Sequence, residues 1–171
     1  MFAFQEHNLQ AKLIARRFAT TLTDMLNQLE ARGEMISMFL EAYPMLLDDL
    51  AENGWTCLDL DQVHQATKIF SFLLQFDSEN PGYHAAYADC CSRVKEYALA
   101  CEHYEMAREL APEIADAYLC LAEHSLMMRQ PHEALEHLES LMSNSWFDSA
   151  HPLHQEVTKV LGWCQEWMLA A

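Results

Sequence analysis

Glycine and proline are scarce in this chain, four of the first and five of the second among 171 residues. A many-stranded sandwich needs frequent turns, so the shortage favours helices joined by short connections. Cations are few as well: ten Lys and Arg stand against 26 Asp and Glu, a formal charge of −16. Binding to a phosphate backbone draws on clustered cations, so nucleic acid is excluded as an expected partner, and anionic membrane surfaces are disfavoured on the same ground. No apolar run reaches the length of about 18 residues that a bilayer span requires. The stretch from Ile69 to Phe76 is interrupted by Ser71 and Gln75, and no membrane insertion is expected. The start, Met1-Phe-Ala-Phe-Gln-Glu-His7, lacks the basic and apolar segments of a secretory signal, which points to a cytoplasm. There Cys57, Cys90, Cys91, Cys101, Cys120 and Cys164 are expected to be thiols, packed as small hydrophobes.

Catalytic signatures are missing too. The chain has no glycine-rich phosphate loop, no glycine-x-serine-x-glycine elbow and no histidine-glutamate-x-x-histidine helix. No enzyme and no cofactor are expected. Cys120 with His124, and His151 with His154, have spacings that zinc could use. Two ligands without a third and fourth do not make a site, so no metal is expected.

What is present is apolar material in a regular arrangement. Hydrophobic residues make up 51% of the chain, enough to bury a core of ordinary size. An offset of 34 residues aligns three segments that begin near Leu47, Pro81 and Ala115. Their eighth positions hold Gly54, Ala88 and Ala122, their twentieth Ala66, Ala100 and Ala134, and their twenty-fourth Phe70, Tyr104 and Leu138. Small residues at two such places let paired antiparallel helices approach closely, and the bulky residue fills the space beside them. Pro112 is expected to stop a helix, and Pro131 suits a first helical turn. The expected helices are 47–59, 63–76, 82–94, 97–110, 116–128 and 132–143.

These residues resemble the tetratricopeptide repeat, most fully in Tyr83-His-Ala-Ala-Tyr87-Ala88, Tyr97-Ala-Leu-Ala100 and Tyr104-Glu-Met-Ala107-Arg-Glu-Leu-Ala-Pro112. The first segment departs with Asn53 in place of leucine and Ser78 in place of proline, the third with Pro131 in place of an aromatic residue. The resemblance implies an all-α chain of three repeats, 47–80, 81–114 and 115–144, in a short superhelical solenoid.

Residues 1–46 read as a helical arm. Leu9, Leu13, Phe18, Leu22, Met25, Leu26 and Leu29 form one apolar face that ends near Gly33, and a short helix with Met35, Met38, Phe39 and Tyr43 is closed by Pro44. Such an arm packs on its own repeats or pairs with a second chain as a homodimer. Residues 145–171 are expected to form a connecting segment and a capping helix, with Pro152 as its first residue and Leu153, Val157, Val160, Leu161, Cys164, Trp167 and Met168 as one stripe. Trp146 and Phe147 are expected to lie over the last hairpin.

In a tetratricopeptide solenoid the first helix of each hairpin lines the concave side. The resemblance therefore places a peptide-binding groove at Asp48, Ala51, Trp55, Leu58 and Asp59 of the first repeat, at Gly82, Ala85, Asp89, Ser92 and Arg93 of the second, and at Asp116, Leu119, Glu123, Leu126 and Met127 of the third. Some tetratricopeptide proteins clamp a chaperone's C-terminal carboxylate with lysine, arginine and asparagine. Ala51, Trp55, Ala86, Asp116 and Cys120 stand at those positions here and offer no cation. The layout of a short acidic chain with an N-terminal helical arm, three repeats and a terminal helix, with Ala66-Thr-Lys-Ile-Phe70, Leu74-Gln-Phe-Asp77, Tyr87-Ala-Asp-Cys90 and Leu121-Ala-Glu-His-Ser-Leu126, is similar to the class II chaperones of bacterial type III secretion. That resemblance implies a bacterial cytoplasmic chaperone that keeps a translocator subunit soluble by holding an extended segment of it. The alternative is a chaperone of a needle or filament subunit, or a general assembly scaffold.

Overall fold

Close approach of paired helices is what the small repeat residues permit, and the computed structural model, which describes residues 45–170, shows where each is used. Seven helices run through these residues: α1 (Met45–Asp59), α2 (Val63–Phe76), α3 (Pro81–Arg93), α4 (Tyr97–Leu110), α5 (Ala115–Met127), α6 (Pro131–Met142) and α7 (His154–Ala170). The first six form three antiparallel hairpins, and the described residues contain no strand. The arm helices expected before Pro44 lie outside the described residues. No described helix is long and apolar enough to cross a membrane. The described residues divide into two compact units, which part between Ser78 and Glu79.

In the first unit, α1 and α2 pack around Leu50, Cys57, Ala66, Ile69, Phe70 and Leu73, all buried. Gly54 is the point of contact. A Cβ built on it would lie 2.8 Å from Phe70 Cζ and 3.0 Å from Ile69 Cγ2, closer than carbon atoms tolerate. The eighth and twenty-fourth repeat positions thus meet directly, and full burial of a residue such as Phe70 contributes on the order of 2 kcal/mol. Asn53, the departure from leucine, is accommodated because its side-chain amide donates to the Asp49 carbonyl at 2.8 Å.

The second unit repeats the plan twice and closes it. Asn80 caps α3, its side-chain oxygen accepting from the Gly82 and Tyr83 amides at 3.1 and 3.2 Å, while Pro81 takes the first helical position and sacrifices no bond. Ala88, Cys91, Ala100, Tyr104, Ala117 and Leu121 form one apolar cluster. Ala115, Tyr118, Leu119, Ala122, Ala134, Leu138, Leu141, Phe147, Val157, Val160 and Cys164 form another, which joins α7 to the last hairpin. α4 ends at Leu110, just before Pro112, and Pro131 opens α6.

The turn inside each hairpin carries a feature that the composition hides. Asp61, Lys95 and Arg129, spaced by the repeat, have φ of 57°, 68° and 62°. Each stands two residues past the end of its helix in a Schellman motif: Gln62, Glu96 and Gln130 amides donate back to the Cys57, Cys91 and Ser125 carbonyls at 2.7, 2.9 and 2.8 Å. Glycine is the usual residue in this left-handed conformation. Here the repeat architecture imposes it on larger side chains.

Two expectations at the C-terminal end are corrected. Pro152 is not the first residue of the capping helix, which begins at His154. The His151 side chain accepts the Leu153 amide at 3.2 Å, and the resulting turn holds Pro152 outside the helix. Nor do all the apolar residues of α7 share one buried stripe. Val157, Val160 and Cys164 are buried and Leu153 and Leu161 pack against them, whereas Trp167, only about 20° round the helix from Val160 but two turns nearer the C-terminus, is exposed. Of the connecting pair, Phe147 is buried and Trp146 is exposed, edge to face on it with centroids 6.0 Å apart.

Candidate functional site

Within the second unit the faces of α5 and α7 that are not spent on the core converge on an open groove of ≈ 580 Å³, lined by Glu123, Leu126, Met127, Arg129, Trp163 and Trp167. Its walls follow from helical spacing. Glu123, Leu126 and Met127 project from one side of α5 at intervals of three and four. On α7 the residues Glu156, Lys159, Trp163 and Trp167 fall at the same kind of interval and form a strip beside the buried Val157, Val160 and Cys164. Met127 is 66% exposed, Trp163 42% and Trp167 48%, a concentration of large apolar surface that a helix surface rarely leaves in water. The Lys159 ammonium sits over the Trp163 ring, 4.7 Å from its centroid.

Charge is arranged along this groove. Partial burial and the neighbouring Glu156 carboxylate together raise the Glu123 pKa above its ordinary value, and Lys159 offsets part of the effect. Further along the same side of the unit, the Cys120 thiol is pushed up to about 11, first by burial and then by the Glu123, Asp116 and Asp89 carboxylates, although its bond to Tyr104 acts the other way. A thiol held protonated in this way is a poor nucleophile at neutral pH. Burial also raises Cys101, to about 11. The six cysteines are free thiols, four of them buried.

The remaining sequence-predicted groove residues fall into separate groups. On α1, Asp48 and Asp59 are exposed and Trp55 rests edge to face on Phe70, centroids 5.5 Å apart, while Ala51 and Leu58 are only 3% and 6% exposed. On α3, Ala85 packs against the Ala88 cluster, and the Gly82 amide is occupied by Asn80. Asp89 forms an ion pair with Arg93 at 2.9 Å. Ser92 lies 2.7 Å from His124 Nε2, whose ring stacks on Tyr104 and tilts against Tyr97. On α5, Asp116 is exposed but Leu119, at 6% exposure, belongs to the core around Leu138 and Val160. The structure therefore brings Glu123, Leu126 and Met127 together and adds Arg129, Trp163 and Trp167, which sequence reasoning missed.

A signal for the missed tryptophans was present. Shifting the inner face of α5 by 40 residues, from Asp116, Leu119, Glu123 and Met127, lands on Glu156, Lys159, Trp163 and Trp167. α7 thus repeats the inner face of a first helix after a connection longer than those that join the repeats. Among the described residues, no three His, Cys, Asp or Glu side chains gather as a metal site.

Helical hairpins with close-packing residues at the eighth and twentieth places, repeated every 34 residues, define a tetratricopeptide-repeat fold, and comparison with solved structures agrees. The chain is similar to a type III secretion complex from Aeromonas hydrophila, with TM-score 0.69 and 15% identity over 84% of this chain and 96% of that one. It is similar to the type III secretion translocator chaperone SycD of Yersinia enterocolitica, with TM-score 0.65 and 20% identity over 78% of this chain and 93% of that one. The TPR2B domain of yeast Sti1, in its complex with pHsp70, gives TM-score 0.65 and 15% identity over 71% of this chain and 98% of that one. The chain matches no protein-family model and no curated protein.

Proposed function

We propose that this protein is a bacterial cytoplasmic chaperone that binds a translocator-type subunit of a type III secretion apparatus and keeps it soluble before export. The observation that carries the reading is the α5/α7 groove, where Met127, Trp163 and Trp167 stand exposed on a rigid helical frame. Membrane-seeking client segments need apolar surface to cover them, and a carrier of charge −16 keeps the complex dispersed. Methionine adapts to irregular client side chains, and tryptophan supplies large, stiff contact area. Likeness to SycD and to the Aeromonas hydrophila complex supports the secretion setting. The carboxylate-clamp reading, which likeness to the Sti1 domain raises, is disfavoured because Asp116 and Cys120 occupy clamp positions and a carboxylate would meet like charge.

Co-expression with a translocator subunit tests this. The expected result is a soluble complex that purifies as one species. Replacing Trp163 and Met127 together by Ala leaves the chaperone folded, since both side chains lie outside the core clusters, and returns the translocator to the insoluble fraction. A complex that survives this double replacement places the client elsewhere.

A further inference from the structure

Gly162 stands where the repeat keeps its close-packing residue, yet among the described residues nothing packs on it. The 40-residue shift that aligns α7 with α5 carries Ala122 onto Gly162, so Gly54, Ala88, Ala122 and Gly162 hold one place in four first helices. Burial agrees with this register. On the side turned to the preceding hairpin, Ala117 and His124 are buried on α5, and their equivalents Val157 and Cys164 are buried on α7. The side turned to a helix's own partner differs. On α5, Tyr118, Ala122 and Ser125 are buried, the first two in one cluster with Ala134 and Leu138 of α6. On α7 the equivalents are Thr158 and Gln165, both exposed, and the half-buried Gly162. A Cβ built on Gly162 would meet nothing within 4 Å, whereas one on Gly54 would lie 2.8 Å from Phe70 Cζ. Among the described residues, α7 is therefore the first half of a fourth hairpin without its second half. A terminal cap accounts for the polar Thr158 and Gln165. It does not account for glycine, which costs a helix interior stability relative to alanine and is of use where another helix comes close.

We infer that this face receives an amphipathic helix of the client, lying antiparallel to α7 as α2, α4 and α6 lie on α1, α3 and α5. The three hairpins already in the chain specify the chemistry of that helix. It carries a small residue, as at Ala66, Ala100 and Ala134, and four residues on a bulky one, as at Phe70, Tyr104 and Leu138, which enters the notch at glycine. An extended strand sends successive side chains to opposite faces and cannot reproduce this ridge. A second copy of the chain offers no such helix among the described residues, because α2, α4 and α6 lie in hairpins of their own and α7 brings glycine to the contact. This rests on the proposed chaperone reading and adds to it a helical contact on the side of α7 that adjoins Trp163.

The test offers the full chain a fluorescent synthetic peptide of residues 62–77, the sequence of α2 with one residue on either side, as a model second helix. Saturable binding is expected, weakened about tenfold or more by Gly162→Leu, whose side chain fills the notch, and equally by Phe70→Ala in the peptide. Gly162→Leu keeps the circular dichroism and the urea midpoint of the unaltered chain, since its side chain points into open space. Gly162→Ala weakens binding while raising the urea midpoint, two opposite effects that a merely structural glycine would not give. The purified complex with a translocator subunit is expected to bind the peptide about tenfold more weakly than the free chain, because the client already fills the face. Peptide binding that Gly162→Leu leaves unchanged, or no binding at all, overturns the inference and leaves the co-expression result to decide the chaperone reading on its own. A translocator complex that still takes the peptide at full affinity overturns the client as occupant, with the same consequence. Self-association of the chain that Gly162→Leu abolishes assigns the face to a second copy and also overturns it.

Discussion

Replacing glycine by alanine at two helix-interior positions is expected to change stability in opposite directions. At Gly162 in α7 nothing lies within 4 Å of the added Cβ. Alanine there should stabilise by roughly 0.5–1 kcal/mol through its better helix propensity and the reduced freedom of the unfolded chain. Gly54 would gain the same amount, but its Cβ would sit 2.8 Å from Phe70 Cζ and 3.0 Å from Ile69 Cγ2. Both neighbours are fully buried and cannot swing away, so overpacking costs about 1–3 kcal/mol. The net expectation for Gly54→Ala is a loss of about 0.5–2 kcal/mol. Urea unfolding followed by circular dichroism reads both variants on one scale, and unchanged slopes would show that stability alone has moved. Adding Phe70→Leu to Gly54→Ala should cost less than the two separate losses added together, because the shorter side chain withdraws the clashing atom. If Gly54→Ala stabilises as much as Gly162→Ala, the two helices of the first hairpin do not touch as closely as the repeat pattern requires.

Three further outcomes follow from particular residues. Lys95 has φ of 68°, so Lys95→Gly should raise the urea midpoint by an amount equivalent to about 0.5–1 kcal/mol, and Lys95→Val should lower it. Burial lowers the pKa values of His103, His124 and His137, with His84 adding to the effect on His103 and Arg108 to that on His137. The unfolded chain therefore takes up these protons first: their stabilising contribution is present above the ordinary value of 6.5 and is lost as pH falls through it toward the lower folded values. His103 faces His84 with Nδ1 atoms 2.9 Å apart, so replacing His103 by Gln should flatten part of the fall in urea midpoint between about pH 7 and pH 5. An unchanged slope would refute that assignment. Leu119→Asp buries a charge among Leu138, Leu141 and Val160 and should abolish cooperative folding, whereas Met127→Asp should leave the unfolding transition within about 0.5 kcal/mol.

The residues that made the fold legible are those whose job is local and repeated. Ala66, Ala100 and Ala134 recur because each lies fully buried where two helices touch, and Pro131 marks a helix start because proline carries no amide to lose. The hairpin turns were harder to read, since Asp61, Lys95 and Arg129 adopt a conformation that sequences usually announce with glycine. At the groove, spacing picks out one side of α5 but cannot separate Leu119, which packs in the core with the terminal helix, from Met127, which stays exposed. That distinction depends on where α7 comes to rest, after a connection whose length breaks the repeat. The same broken period conceals Trp163 and Trp167: spacing assigns Trp167 to the capping stripe and leaves Trp163 without a role, and both line the groove.

Photo-crosslinking from inside the groove tests the central claim most directly. With a benzophenone amino acid at Met127 in one chaperone variant and at the exposed Met142 of α6 in another, each co-expressed with the translocator subunit, irradiation should join client to the first and not to the second. Crosslinks that form equally from both, or from Met142 alone, would contradict a client seated between α5 and α7.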